Sequence, residues 1–238
     1  MRELGKGSPT AVTGSEHGVK RRFETLLSSK SLEDKAVLDI GCGVGAYCKV
    51  AMNYGASLAV GLDINLQYLI KAKSIEKVQA RASSLPFSSS CFDVILMIDV
   101  LEHLPSESEV IQEAKRVLKK DGIIFITVPN KFYPIETHGL RIGSTEIRNT
   151  LNVGIPLLSW APKFVRERAE RARVYTQKQL VELLREQGLR PLKVEYMMPP
   201  LDKIEKRLAT AARKILRRLE ATWLRCLGCH IIVIANRA

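Results

Sequence analysis

The feature that most constrains the fold of this chain is a glycine-rich turn. Residues 37–45 read V-L-D-I-G-C-G-V-G and lie between an apolar run and a stretch of helical periodicity. Gly41, Gly43 and Gly45 allow the backbone to turn sharply and to approach a ligand closely, and the helix that follows presents unpaired N–H groups to it. A strand, such a turn and a helix in this order predict the first unit of a parallel sheet with crossover helices.

The same alternation continues along the chain from residue 36 onward. Apolar runs of strand length are separated by stretches of helical period, which predicts a doubly wound, mostly parallel α/β sheet. The predicted strands cover residues 36–40, 58–63, 78–81, 92–98, 123–128, 192–196 and 230–235. The predicted helices cover residues 46–53, 66–75 and 107–119 and, after an N-cap at Thr176, the residues up to Gly188.

The length of 238 residues is within the range of one α/β domain. We predict a single domain over residues 1–238, with its core at residues 33–130 and 176–238. Between residues 131 and 175 the alternation breaks for longer than an ordinary loop, and we interpret this segment as a helical cap insertion. A second helical insertion, residues 201–225, is predicted after the sixth strand.

Most of the positive charge lies in one part of the chain. The net charge is +12, and residues 160–225 contain 17 Lys and Arg against 8 Asp and Glu. The predicted basic helix 201–225 has an apolar stripe made of Leu201, Ile204, Leu208, Ala211, Ile215, Leu219 and Trp223. A solvated face, a surface for anionic lipid headgroups and a surface for RNA are the three interpretations that the sequence leaves open.

Cysteine usage and the first residues give expectations about location and prosthetic groups. Five cysteines at irregular spacing, with no apolar stretch after Met1 like that of an export signal, predict reduced thiols and a cytoplasmic protein, with peripheral membrane contact left open. Residues 226–230, C-L-G-C-H, match the pattern of covalent haem attachment, but that chemistry requires export, so we expect no haem. Cys226 and Cys229 have no second pair of ligands, so we expect no metal.

Two acids accompany the glycine turn. Asp63 ends the predicted second strand, where a carboxylate can accept hydrogen bonds from ribose hydroxyls. Asp39 stands two residues before the first glycine, where it would repel a pyrophosphate and favour a cationic or amine-bearing ligand. The two acids together predict a nucleotide-like ligand that carries positive charge.

At these residues the chain resembles the class I S-adenosylmethionine-dependent methyltransferases, in particular the small single-domain members with a V-L-D-I-G-C-G-x-G turn. Further motifs follow in the family's order, namely G-L-D-I-N at 61–65, S-L-P-F at 84–87, F-D-V-I-L-M-I-D-V-L-E-H-L at 92–104 and A-K-R-V-L-K-K-D-G-I-I-F-I-T-V-P-N at 114–130. The resemblance implies a Rossmann-like sheet of seven strands whose last strand is antiparallel, and S-adenosylmethionine as the cofactor.

The resemblance also implies a cofactor site. Asp39 and the backbone of Gly41 and Gly43 would lie against the methionine portion, and Asp63 would hold the ribose. The other members of the predicted cofactor site are Cys42, Gly45, Ile64, Ala82, Ser83 and Asp99. Ala82 and Ser83 are included as neighbours of the adenine, because this chain has Arg81 where the family commonly has an acid for the adenine amino group.

The function implied by the resemblance is transfer of a methyl group from S-adenosylmethionine to an O or N atom of a small-molecule or lipid-like acceptor. His138, at the start of the predicted cap, is the candidate general base, because imidazole titrates near neutral pH. The end of the fourth strand lacks the N/D-P-P-Y/F sequence that resembles enzymes acting on exocyclic base amines. An RNA-directed methyltransferase and a non-catalytic protein that binds S-adenosylmethionine are the alternatives.

Overall fold

The computed structural model describes residues 16–136, 140–142, 145–147, 155–156, 160, 172–199, 201 and 206–238. The helices and longer strands in chain order are α1 (Glu16–Leu27), β1 (Ala36–Ile40), α2 (Ala46–Asn53), β2 (Leu58–Asp63), α3 (Leu66–Lys71), β3 (Glu76–Gln79), β4 (Phe92–Ile98), α4 (Glu107–Val117) and β5 (Leu118–Pro129). After the short strands β6 (Ile135–Glu136), β7 (Leu140–Ile142), β8 (Thr145–Ile147) and β9 (Ile155–Pro156) come α5 (Gln177–Glu186), β10 (Leu189–Met197), α6 (Lys206–Glu220) and β11 (His230–Arg237).

The main sheet has seven strands in the order β10-β11-β5-β4-β1-β2-β3. Strands β1 to β5 pair in parallel, and β11 pairs antiparallel with both β5 and β10. The doubly wound sheet and its antiparallel last strand are therefore confirmed. The strand order reverses between β1 and β4, and the carboxyl ends of the strands beside this point are where a doubly wound sheet binds ligands.

The central strands are buried on both faces. Ile95 and Met97 of β4 belong to a core cluster that includes side chains of α4 and α5. Val94 and Leu96 of the same strand belong to a second cluster, on the face covered by α1 and α2. Burial on both faces explains why the sequence of this strand is continuously apolar from Val94 to Ile98 instead of alternating.

Helix α1 was not predicted from the sequence. Its inward residues Val19, Phe23 and Leu26 are all buried in the second core cluster. The Phe23 ring lies against the rings of Tyr47 and Tyr54, with centroid distances of 5.9 and 5.8 Å. The spacing of the three buried residues follows the helical period, so the signal was present in the sequence.

Several predicted bounds need correction. Helix α3 ends at Lys71 instead of residue 75, and β3 occupies 76–79 instead of 78–81. Helix α4 ends at Val117 instead of residue 119, and β5 begins at Leu118 instead of residue 123. The residues expected to form a turn, 120–122, lie within β5, where the register of its pairing with β4 shifts. The capping box of α5 is confirmed.

The predicted insertions have different outcomes. Within residues 131–175 the described strands form short antiparallel pairs, β6 with β9 and β7 with β8. The prediction did not include these strands, and the helical character of the cap is not confirmed. The basic segment after β10 is helical as predicted, although α6 covers residues 206–220 and a 3₁₀ helix follows at Trp223–Leu227. The candidate base His138 lies outside the described residues, and the division into core and cap stays a prediction.

We predict that Phe23→Ala lowers the free energy of unfolding by about 3–5 kcal/mol, the usual effect of removing a buried aromatic ring. Denaturant unfolding measures this effect. Lys20→Ala, at an exposed position of the same helix, is the control and should change stability by less than about 0.5 kcal/mol. Equal effects of the two substitutions would show that α1 does not pack on the sheet as described.

Candidate functional site

The glycine turn connects β1 to α2 in a conformation that only glycine adopts readily. Gly41, Gly43 and Gly45 have φ angles of 75°, 55° and 79°, which lie in the left-handed region. A Cβ atom on Gly41 would come within 2.5 Å of Cγ2 of Val100, and one on Gly45 would overlap the Ile75 side chain. The side chains of Val100 and Ile75 therefore pack closely against the turn. The backbone of the turn borders the switch point of the sheet.

Asp63 fixes the turn from the end of β2. Its carboxylate accepts hydrogen bonds from the backbone N–H groups of Gly43, at 2.9 Å, and Asn65, at 2.8 Å. A carboxylate has about four acceptor positions, so Asp63 keeps capacity for the hydroxyl groups of a ligand. The sequence predicted that Asp63 and the turn meet, but it did not predict the hydrogen bond that joins them.

Asp39 is the most unusual group at this site. It is 1% exposed. Its carboxyl group accepts a weak hydrogen bond from the Cys48 thiol, at 3.8 Å. Burial raises the pKa of Asp39 to about 8, and the negative charge of Asp63 adds to the effect. No cationic side chain pairs with Asp39 within the described residues, so a ligand that brings positive charge would stabilise its ionised form.

The remaining predicted cofactor residues lie around the same edge. Cys42 is buried, and its Sγ–H group points to the carbonyl oxygen of Gly43 at 3.7 Å. Burial raises the pKa of Cys42 well above its usual range, so its thiol is a packing group and not a nucleophile. Ile64 is 44% exposed immediately after β2, where it offers an apolar surface beside Asp63.

The loop after β3 carries the two residues that were predicted as neighbours of an adenine. Ala82 is half-buried against the core, and Ser83 is exposed. The loop is tied to the end of β2 by the Ala80 N–H group, which donates to the Asp63 carbonyl oxygen at 3.3 Å. The structure thus brings this loop to the Asp63 side of the switch point, as expected.

Asp99 follows β4 and is the centre of a second polar group at this edge. Its carboxylate accepts hydrogen bonds from Arg22 Nη2 at 2.8 Å and from the Thr127 hydroxyl at 2.6 Å. The imidazole Nε2 of His230 lies 3.3 Å from Oδ1 of the same carboxylate. Arg22 is 5% exposed and remains charged in proteins, so Asp99 is held as a carboxylate.

His230 begins β11 and is oriented by its neighbours. The Cys229 sulfur lies 3.1 Å from its Nδ1 atom, and burial raises the pKa of the Cys229 thiol to about 12. The side-chain amide of Asn130 donates to the carbonyl oxygens of Cys226 and Gly228, both at 2.7 Å. These contacts fix the turn before β11 and place the imidazole beside Asp99.

Sequence analysis missed three members of this second group. Arg22 was missed because α1 was not predicted, and Thr127 was treated only as part of a strand. His230 was assigned only to the last strand. Because β11 runs antiparallel to β5, its first residue lies at the carboxyl end of β5, which is the edge of the sheet where ligands bind. That topological argument was available and would have identified it. Among the described residues, no three His, Cys, Asp or Glu side chains converge on a possible metal site.

Comparisons with known proteins agree with this geometry. A family model described as a methyltransferase domain matches residues 38–126. Ubiquinone biosynthesis O-methyltransferase of Pelagibacter ubique is 30% identical over 131 residues, which is 52% of this chain and 54% of that protein. Norajmaline N-methyltransferase of Rauvolfia serpentina is 30% identical over 137 residues, which is 50% of this chain and 47% of that protein. The chain spans about half the length of the curated relatives it matches.

Solved structures show the same fold. An S-adenosylmethionine-dependent methyltransferase from Mesorhizobium loti superposes with a TM-score of 0.62 at 19% identity, covering 95% of this chain and 100% of that one. The 4+2 cyclase SpnF superposes with a TM-score of 0.62 at 18% identity, covering all of this chain and 88% of that one. At this level of identity the likeness concerns the fold alone.

The switch point with its glycine turn and paired acids defines a nucleotide-binding α/β protein of the Rossmann-like kind. A model described as a methyltransferase domain matches residues 38–126, and the chain shares its fold with S-adenosylmethionine-dependent methyltransferases, so it resembles the class I members of that family. The cofactor of this family is S-adenosylmethionine, and the buried Asp39 carboxyl fits its positive charge. Asp63 and the glycine backbone fit the rest of a nucleoside ligand, so the residues present suit this cofactor.

We predict that Asp39→Asn stabilises the cofactor-free protein at pH 8 and weakens cofactor binding at least tenfold. In the folded protein Asp39 keeps its proton up to a pKa of about 8, whereas in the unfolded chain it loses the proton near pH 4. Its contribution to stability is therefore present below about pH 4 and is lost as the pH rises to 8. Unfolding at pH 5 and pH 8, and calorimetry with S-adenosylmethionine, measure the two effects.

Asp121→Asn, at an exposed position, is the control for loss of a carboxylate. It should leave both the pH dependence of unfolding and the cofactor affinity unchanged. If Asp39→Asn shows the same pH dependence as the unmodified protein, then Asp39 is not protonated in the folded state.

Proposed function

We propose that the protein transfers a methyl group from S-adenosylmethionine to an O or N atom of a small or lipid-like acceptor. The observation that carries the proposal is the position of the Asp99–His230 pair at the same sheet edge as the glycine turn. A cofactor held by Asp39 and Asp63 would therefore have a group for proton transfer beside it.

The bound cofactor supplies a methyl group on a positively charged sulfur, which is already activated for in-line displacement. The task of the chain is then mainly to hold donor and acceptor in line, which can supply much of the rate acceleration. Asp39 provides a negative charge for the cationic portion, and Asp63 provides hydrogen-bond acceptors for the ribose. Ile64, Ala82 and Ser83 would border the adenine.

Acceptors with a hydroxyl or ammonium group must also lose a proton. We assign this proton to Nδ1 of His230, because Nε2 faces the Asp99 carboxylate at 3.3 Å and donates to it, and that carboxylate stabilises the resulting imidazolium. Arg22 and Thr127 hold Asp99 in place. The Cys229 thiol beside Nδ1 donates to the Met197 carbonyl oxygen, which leaves the lone pair of Nδ1 for the proton. His138, the base predicted from the sequence, stays an alternative.

The acceptor class is supported by two kinds of observation. The relatives described above are named as methyltransferases that act on oxygen and on nitrogen, which supports an O or N acceptor here. Ile215 in α6 and Trp223 after it are exposed, and cationic residues lie beside them. An exposed apolar surface of this kind supports a lipid-like acceptor. The same cations support the RNA-directed alternative. A non-catalytic protein that binds S-adenosylmethionine is the other alternative.

The proposal includes a cytoplasmic location. The five cysteines are all free thiols, as expected in a reducing compartment. No helix among the described residues is long and apolar enough to cross a membrane.

Two measurements test the proposed function. Calorimetry should show binding of S-adenosylmethionine and of its demethylated product, and binding of NAD alone would overturn the proposal. Labelled S-adenosylmethionine is then incubated with the protein and with separate lipid, water-soluble and RNA fractions of a cell extract. Label in the lipid or water-soluble fraction supports the proposal, label in RNA supports the first alternative, and cofactor binding without transfer supports the second.

We predict that His230→Gln lowers kcat by at least about 100-fold, the usual contribution of a general base, while cofactor affinity is unchanged. The dependence of kcat on pH should also lose its rise at acid pH, because glutamine does not titrate. His103→Gln is the control, since this imidazole is about half exposed. An unchanged pH profile in His230→Gln would contradict the assignment, and its loss in His138→Gln alone would assign the proton to that residue.

A further inference from the structure

Helix α6 exposes a surface of lysine and arginine side chains. Lys214, Arg217 and Arg218 are all exposed, and their spacing of three and four residues puts them on one face of the helix. We call these three residues the cationic face of α6. Like charges at this spacing repel one another and destabilise a helix, and an anionic partner would remove this repulsion.

The charge of this face is not neutralised by the rest of the described chain. Glu220 is the single acid of α6, and it points inward. Its carboxylate accepts hydrogen bonds from Arg21 of α1 at 2.8 and 2.9 Å and from the Met198 N–H group at 3.1 Å. None of the three residues of the cationic face forms an ion pair within the described part of the chain.

Large apolar side chains border the cationic face. Ile215 is 59% exposed between its cationic neighbours, and Trp223, in the 3₁₀ helix after α6, is 77% exposed. Both side chains expose apolar area to water, whereas Leu216 and Leu219 on the inner side of the helix are half-buried. A tryptophan and an aliphatic residue beside a row of cations are typical of helices that lie in the interface of a bilayer.

We propose that α6 and the 3₁₀ helix after it form a docking surface for an anionic lipid bilayer. The phosphate headgroups would neutralise the cationic face, and Ile215 and Trp223 would enter the boundary between headgroups and acyl chains. An RNA surface would match the charge but would leave Ile215 without an apolar environment. The proposal goes beyond methyl transfer and does not depend on it.

Flotation with lipid vesicles tests the proposal. The protein should bind vesicles of phosphatidylcholine with about 30% phosphatidylglycerol, should not bind phosphatidylcholine alone, and should be released by salt, because each lysine or arginine near such a surface contributes attraction that salt screens. The variant with Lys214, Arg217 and Arg218 replaced by glutamine should bind anionic vesicles at least tenfold more weakly. Ile215→Ser with Trp223→Ala should also weaken binding.

A matched variant tests whether vesicle binding depends on the cationic face of α6 or only on the net positive charge of the protein. Lys49, Lys71 and Lys178 are exposed at other places on the molecule, and replacing these three by glutamine removes the same charge. This control should bind vesicles as the unmodified protein does, and all variants should bind S-adenosylmethionine with unchanged affinity. Equal losses in the two triple variants would overturn the proposal.

The emission of Trp223 gives an independent readout of insertion. The chain has two tryptophans, so Trp160→Phe leaves Trp223 as the single reporter. Its emission should shift to shorter wavelength with anionic vesicles and not with phosphatidylcholine alone. No shift, or tight binding to a polyanionic RNA with no binding to vesicles, would overturn the proposal and favour an RNA surface.

Discussion

The ion pair between Arg22 and Asp99 joins the parts of this molecule that its proposed chemistry requires. Arg22 comes from α1, and Asp99 from the end of the central strand β4. Through Asp99 the pair reaches Thr127 of β5 and His230 of β11. Removing one partner of a fully buried pair costs about 3–5 kcal/mol, and the cost is smaller here because Asp99 is partly exposed. The pair therefore acts mainly by fixing positions, and the proposed acceptor side of the site depends on it.

Asp39 shows the opposite arrangement, a buried carboxyl group without a cationic partner among the described residues. The surrounding protein favours its neutral form, and a ligand that supplies positive charge would favour the ionised form. A group of this kind lowers the stability of the cofactor-free protein near neutral pH. We expect a cationic ligand bound beside Asp39 to offset this loss of stability.

The parts of the structure that could be predicted are those specified by local sequence. The strands β1, β2 and β4 have their predicted bounds because they are mostly apolar and are bounded by turn residues. The proposed cofactor residues Asp39 and Asp63 follow from the motif around the glycines and could be named for the same reason. Asp99 could be named as well, and His230 could have been found from the strand topology, but Arg22 could not, because it is distant in sequence and lies on a helix that was not predicted. The register shift in β5 likewise depends on its pairing with β4.

The position of β11 between β5 and β10 has a consequence for biosynthesis. Strands β1 to β5 and the cofactor residues are synthesised first and can pair with one another, but the free edge of β5 stays open until the last strand emerges from the ribosome. Strand β10 has no place in the sheet before that time, because β11 is its only neighbour in the seven-stranded sheet. An apolar open edge is a site of association with other chains. The final strand thus closes a vulnerable edge of the nascent protein and delivers His230 to Asp99 in the same step.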